Sequence, residues 1–185
     1  MAHRLCPWWL GYCLVCPARR LGQNPHKILV PYVKEGMIVL EPGPGMGFFT
    51  LELARLAGAS GRVVAIDLQP KMIDRLKRRA SSASLLNRVD ARIAAPESLG
   101  TEDLRGMVDF TLAFAVVHEF PNPGHSFGEV AAASRPGAEL LLAEPKGHVK
   151  QANFDAELAA ASVVGFKKVE QPPIRGSHTA LLKKI

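Results

Sequence analysis

From Met37 onward the chain alternates short, wholly apolar runs with longer stretches in which apolar residues recur every three or four positions. The first pattern suits a strand buried on both faces, and the second suits a helix with one apolar stripe. Residues 37–40 predict a first strand and residues 48–56 a helix, with Phe49, Leu53 and Leu56 at helical spacing. Residues 63–66 predict a second strand ending at Asp67. Pro70 then stands where a helix carrying Met72, Ile73, Leu76 and Ala80 on one face begins.

Further on, residues 91–94 predict a weak third strand and residues 108–115 a strong fourth one. A helix over 126–134 is expected to stop at Pro136-Gly137, and residues 139–143 supply a fifth strand. The last helix is expected over 154–164. Residues 167–170 and 179–182 then close the fold as a hairpin around Pro172, Pro173 and Gly176. Strands alternating with helices predict a mostly parallel α/β sheet covered on both faces, and the count reaches seven strands.

Ahead of the first strand, Trp9, Tyr12, Cys13 and Cys16 fall at helical spacing. This predicts a helical lid over the ligand end of the sheet. One domain over 1–185 is therefore expected, with a lid segment at 1–35 and a core at 36–185.

With 185 residues, 48% of them apolar, the chain can bury a single core. No apolar run approaches the roughly 20 residues that cross a bilayer as a helix. Arg4 followed by Trp8, Trp9 and Leu10 imitates a secretory signal, but Pro7, Gly11 and Pro17 interrupt it, so a cytoplasmic location is expected. The net charge of +6 concentrates at Lys71, Arg75, Lys77, Arg78 and Arg79, and at Arg19 and Arg20. Such charge can attract nucleic acid or anionic lipid; a solvated helix face is the favoured reading. His3, Cys6, Cys13 and Cys16 raise a thiolate metal site or a soft metalloid acceptor. Buried thiols packed beside Trp9 and Tyr12 are the preferred reading, and no metal is expected.

The chemistry concentrates where the first strand empties into Glu41-Pro42-Gly43-Pro44-Gly45-Met46-Gly47. A strand, a glycine turn and a helix leave backbone N–H groups facing a ligand at the carboxyl edge of a parallel sheet. Phe48 stands where a dinucleotide fingerprint needs its last glycine or alanine, so the turn reads G-x-G-x-G. Glu41 would repel a pyrophosphate and suits an ammonium-bearing ligand. Asp67, ending the second strand, is placed to accept hydrogen bonds from two ribose hydroxyls.

Residues 39–47, then Asp67, then the strand ending Phe114-Ala115 resemble the class I S-adenosylmethionine-dependent methyltransferases, and more narrowly the methyltransferase type 11 group. The resemblance covers residues 36–185. It implies a Rossmann-like sheet of order 3-2-1-4-5-7-6 with strand seven antiparallel, and S-adenosylmethionine as cofactor. It further implies that Gly43, Gly45 and Gly47 surround the methionine and ribose portion, that Glu41 lies beneath it, that Asp67 holds the ribose, and that Leu68 flanks the adenine. Phe114 joins this set at the end of strand four. The acid that such proteins often carry after strand three is replaced by Ala94-Ala95-Pro96, which leaves Glu97 as its nearest counterpart.

Base catalysis is needed only if the acceptor must lose a proton. His118 is the first candidate base, because imidazole titrates near neutrality, and Glu119, Glu144 and His148 lie at neighbouring strand ends. Ala113-Phe114-Ala115-Val116 lacks the Asn or Asp followed by Pro-Pro that marks methylation of base amines in such families, and no cysteine stands near strand four or five. A small-molecule or lipid-like acceptor is therefore expected, with His118 and Glu119 as catalytic residues. An RNA or protein acceptor and a non-catalytic cofactor-binding module are the alternatives.

Overall fold

The computed structural model describes Val15 and residues 19–185, apart from the side chain of Arg20. The chain divides into two compact units, one running through Ala94 and the other spanning residues 95–185.

The first unit carries α1 (Arg19–Gly22), α2 (Pro25–Leu29), β1 (Ile38–Pro42), α3 (Thr50–Leu56), β2 (Arg62–Asp67), α4 (Pro70–Ser82) and β3 (Val89–Ile93). Strand β2 pairs in parallel with β1 on one side and β3 on the other. Val39, Leu40, Val63 and Val64 are fully buried, as expected for strands covered on both faces. β3 is only half-buried, and Ile93 is exposed, in keeping with an edge position. Pro70 opens α4 where its missing N–H costs nothing, and Met72, Ile73, Leu76 and Ala80 form the buried stripe. Asn24 caps α2 by accepting the Lys27 N–H at 3.2 Å.

The second unit carries β4 (Val108–Phe114), α5 (Pro123–Ala133), β5 (Ser134–Pro145), α6 (Gln151–Val163), β6 (Phe166–Glu170) and β7 (Ser177–Lys184). Strands β4 and β5 are parallel, while β7 runs antiparallel to both β5 and β6. Phe110, Phe127 and Phe154 are among its largest fully buried side chains. Asn122 caps α5 by accepting the His125 N–H at 3.1 Å. The outward residues of β6, Lys167, Lys168 and Glu170, charge that edge against further pairing. The sheet order is β3-β2-β1-β4-β5-β7-β6.

One boundary differs from the sequence expectation. The fifth strand begins at Ser134 rather than Glu139, so Pro136-Gly137 lies within it instead of in a turn. The helix ends at Ala133, three residues before the proline, with the Ser134 hydroxyl donating to Val130 O at 2.7 Å. The β4–β5 register then jumps from Val108↔Ser134 to Phe110↔Glu139. This irregularity absorbs a proline that cannot donate to a ladder. The lid residues Trp8, Trp9, Tyr12 and Cys13, together with Cys6, Cys16 and His3, lie outside the described residues. No described helix is long and apolar enough to cross a membrane.

Candidate active site

Within the first unit, Glu41 and Pro42 complete β1, and the chain then reverses through the glycine turn. Gly43, Gly45 and Gly47 have φ of +69°, +55° and +83°, a region that L side chains rarely adopt. Gly43 N donates to Ile66 O at 2.8 Å, which ties the turn to β2. The glycines have different local reasons. A Cβ on Gly45 would meet nothing within 4 Å, so this position opens onto free space. A Cβ on Gly47 would lie 2.5 Å from Leu76 Cδ1, so that glycine is required by the close packing of α4. The guanidinium of Arg79 also donates through Nη1 to the carbonyl of Met46.

Asp67 is bound into the same turn. Its Oδ2 accepts from Gly45 N at 3.2 Å and its Oδ1 from Gln69 N at 2.9 Å. Each oxygen keeps a lone pair for a further donor. Burial raises the Asp67 pKa, and the hydrogen bonds from Gln69 and Gly45 oppose that rise. Glu41 is 3% exposed and accepts the Thr50 hydroxyl at 2.5 Å. Burial pushes its pKa up to about 8; the Thr50 bond pulls the other way, and the charge of Asp67 adds to the rise.

These residues fit S-adenosylmethionine. The open side of Gly45 admits a ligand against the backbone, and Asp67 retains acceptor capacity for vicinal hydroxyls. Glu41 is a buried acid whose ionisation a cation would restore. Leu68, half-buried, follows Asp67 directly. The described part of the N-terminal segment packs just beyond the turn. There the Arg19 guanidinium lies 4.4 Å from the Phe48 ring centroid, and His26 Nδ1 lies 2.9 Å from Glu52 Oε1.

The second unit holds a separate polar cluster. Glu144, at the end of β5, is 0% exposed. Its Oε1 accepts from Val116 N at 3.1 Å and Val117 N at 2.8 Å, and its Oε2 lies 2.5 Å from His118 Nδ1. Ala115, at φ +56°, turns the chain immediately before those two amides, and its own N–H donates to Ala143 O at 2.7 Å. A non-glycine residue in this region costs about 1–3 kcal/mol, and such strain clusters at functional sites. The His118 pKa is raised, chiefly by the bond to Glu144, while burial works against the rise. Glu157 of α6 is buried and one of its oxygens has no hydrogen-bond partner. Burial, reinforced by the charge of Glu144 and offset by His118, pushes its pKa up to about 8.

The residue that takes the His118 hydrogen bond is Glu144, 26 positions away, one of the candidate groups at neighbouring strand ends. Glu119 lies in the same 3-10 turn, and its charge raises the His118 pKa less than the bond to Glu144 does. The exposed ring of His148 lies 6.3 Å from that of His118. Phe114 is buried at the end of β4, and Glu97 is exposed beyond β3. The sequence reading overlooked Glu157, whose place in a helix of low amphipathicity carries no local signal. Among the described residues, no group of three His, Cys, Asp or Glu stands together in a way that could hold a metal ion.

Known proteins resemble this chain in sequence and in fold. The chain is 29% identical over 178 residues to a ubiquinone biosynthesis O-methyltransferase of Methylocella silvestris, covering 95% of this chain and 64% of that one. It is 30% identical over 123 residues to the ribosomal protein L11 methyltransferase of Aquifex aeolicus, covering 63% and 46%. The chain therefore spans less than two thirds of either relative. Among solved structures, an S-adenosylmethionine-dependent methyltransferase from Aquifex aeolicus superposes with a TM-score of 0.84 at 21% identity, covering 97% of this chain and 98% of that one. A family described as a methyltransferase domain matches residues 33–173, which is most of the chain. With its seven-stranded sheet, its glycine turn and this match, the chain belongs to the methyltransferase domain family, whose cofactor is S-adenosylmethionine.

Proposed function

We propose that this protein transfers a methyl group from S-adenosylmethionine to a small-molecule acceptor whose O–H or N–H proton is taken by His118. The observation that carries this reading is the bond between His118 Nδ1 and the fully buried Glu144. With Nδ1 engaged, Nε2 is the nitrogen left to receive a proton, and the carboxylate stabilises the imidazolium that results. The two amides on the other oxygen of Glu144 hold it still, so the imidazole is oriented before any acceptor arrives. A methyl acceptor that is already a free base needs no such pair.

Bound S-adenosylmethionine supplies an electrophilic methyl group. The chain's own contribution in the first unit is to bind and orient: Asp67 through vicinal hydroxyls, the turn amides by close approach, and Glu41 through its charge. In open parallel sheets ligands lie beyond the carboxyl ends of the strands. Glu41, Asp67, His118 and Glu144 all stand at such ends.

A second reading, with a protein or RNA acceptor, draws on the likeness to the ribosomal protein methyltransferase and on the net charge of +6. One experiment separates the readings. The protein is incubated with a cell extract and S-adenosylmethionine labelled in its methyl group, with and without ribonuclease, and the products are fractionated by size. Label in the low-mass fraction, insensitive to ribonuclease, is the expected result. Label confined to RNA or protein overturns the small-molecule reading, and an extract with no label above background overturns catalysis.

A further inference from the structure

We propose that a cavity of about 370 Å3 on the outer face of α4 binds a small anionic ligand with an apolar portion, of the alkyl phosphomonoester kind. Arg75, Arg78 and Arg79 rim it, and Met46, Leu51 and Ala83 supply apolar floor. The volume falls in the range of small-molecule sites, about 300–1,000 Å3.

Charge identifies the class of ligand. Three guanidinium groups at i, i+3 and i+4 of one helix repel one another, and among the described residues no carboxylate lines the cavity. Asp74, four residues before Arg78, is a natural partner on the helix surface, yet Arg78 forms no ion pair among the described residues. A solvated helix face explains a row of cations on a convex surface. Here the row surrounds a hollow with an apolar floor, where an anion is favoured and its tail has somewhere to lie. The planar guanidinium fork matches a phosphate's oxygens. The apolar floor beneath the arginines suits a compact ligand with a short tail better than a nucleic-acid strand or a bilayer surface.

The cavity lies directly behind the cofactor turn. Arg79 donates to the carbonyl of Met46, between Gly45 and Gly47, and the Cβ position of Gly47 lies 3.7 Å from Arg79 Nη1. An anion that draws on Arg79 competes with that carbonyl, so occupation of the cavity alters the turn. Linkage then requires that cofactor binding and anion binding change each other's affinity by the same factor. This coupling rests on the reading of the glycine turn as the cofactor cradle; the cavity's own binding does not.

The test is calorimetric titration of the full chain with hexyl phosphate. The expected result is saturable single-site binding, weakened tenfold or more in Arg75→Gln/Arg78→Gln. Both side chains are exposed, and thermal unfolding checks that the variant folds. Lys77→Gln removes one positive charge from α4 outside the cavity lining, and binding is expected to stay within twofold of the parent. No saturation by about 10 mM, or an equal loss in Lys77→Gln, overturns the proposal. So does binding of phosphatidylglycerol vesicles or single-stranded RNA through these arginines without binding of hexyl phosphate. S-adenosylmethionine affinity is then measured with and without saturating hexyl phosphate. A severalfold change, absent in the double variant, is expected, and no change overturns the coupling alone. Failure of S-adenosylmethionine to bind at all overturns the cradle reading while the hexyl phosphate titration still decides the cavity.

Discussion

His118 Nδ1 lies 2.5 Å from Oε2 of Glu144, a carboxyl group with no solvent exposure at the end of a different strand. This bond is the main cause of the raised pKa of His118. A general base works in its deprotonated form, so turnover should climb as pH rises through that raised pKa. Glu144→Gln weakens the cause of the shift. The acidic limb of the pH–rate profile should therefore move to lower pH while the plateau falls, because the imidazole is less firmly oriented. A limb that stays in place would show that His118 is not the titrating base. His118→Ala should lower kcat by about 10²–10⁴-fold with cofactor affinity nearly intact.

The same pair sets a stability term. His118 has a raised pKa in the folded state, so its contribution is fully present below the unfolded value of 6.5 and disappears as pH rises through the folded value. His118→Ala should consequently lower Tm more at pH 6 than at pH 9. Thermal melts at the two pH values measure this directly, and equal losses would contradict it.

Glu41 makes the same demand on pH for a different reason, since burial rather than a partner raises its pKa. Its folded pKa of about 8 exceeds the ordinary carboxyl value of 4.5, so the folded chain holds a proton that the unfolded chain releases, and stability declines as pH rises between those values. Glu41→Gln should raise Tm of the ligand-free protein near pH 8 and change it little near pH 4. A cationic ligand should drive the proton off Glu41, so S-adenosylmethionine binding near pH 7 should release up to one proton. Calorimetry in buffers of different ionisation enthalpy counts that proton, and Glu41→Gln should abolish the release.

Asp67 keeps acceptor capacity after satisfying Gly45 N and Gln69 N. Removing it takes charged hydrogen bonds from the ligand, each worth about 1.5–3 kcal/mol. Asp67→Ala should weaken S-adenosylmethionine binding by at least tenfold in a calorimetric titration. Unchanged affinity would remove Asp67 from the site.

Gly45 and Gly47 should respond differently to alanine. At Gly45 the new methyl group enters open space, so the cost to folding is backbone strain of about 1–2 kcal/mol and the larger loss falls on cofactor affinity. At Gly47 the methyl group meets Leu76 at 2.5 Å, and strain adds to overpacking for about 2–4 kcal/mol. Denaturant melts rank the two variants, and a more stable Gly47→Ala would overturn this division of roles.

Much of this protein is legible along the chain because its signals are local. Apolar periodicity marks the strands and helices, the glycines mark a turn that side chains would obstruct, and Asp67 ends its strand only two residues from the next helix cap. Tertiary structure alone decided the rest. It chose Glu144 over the adjacent Glu119 as partner of His118, since the ends of β4 and β5 meet only after the chain has crossed over through α5. It placed Ala115 in a conformation that no glycine announces, in order to aim two amides at that carboxylate. It also determined which acids hold protons and whether a row of arginines borders a hollow. Sequence carries the identity of a charged group, but its pKa and its partner depend on how much water and which dipoles surround it once distant segments have packed.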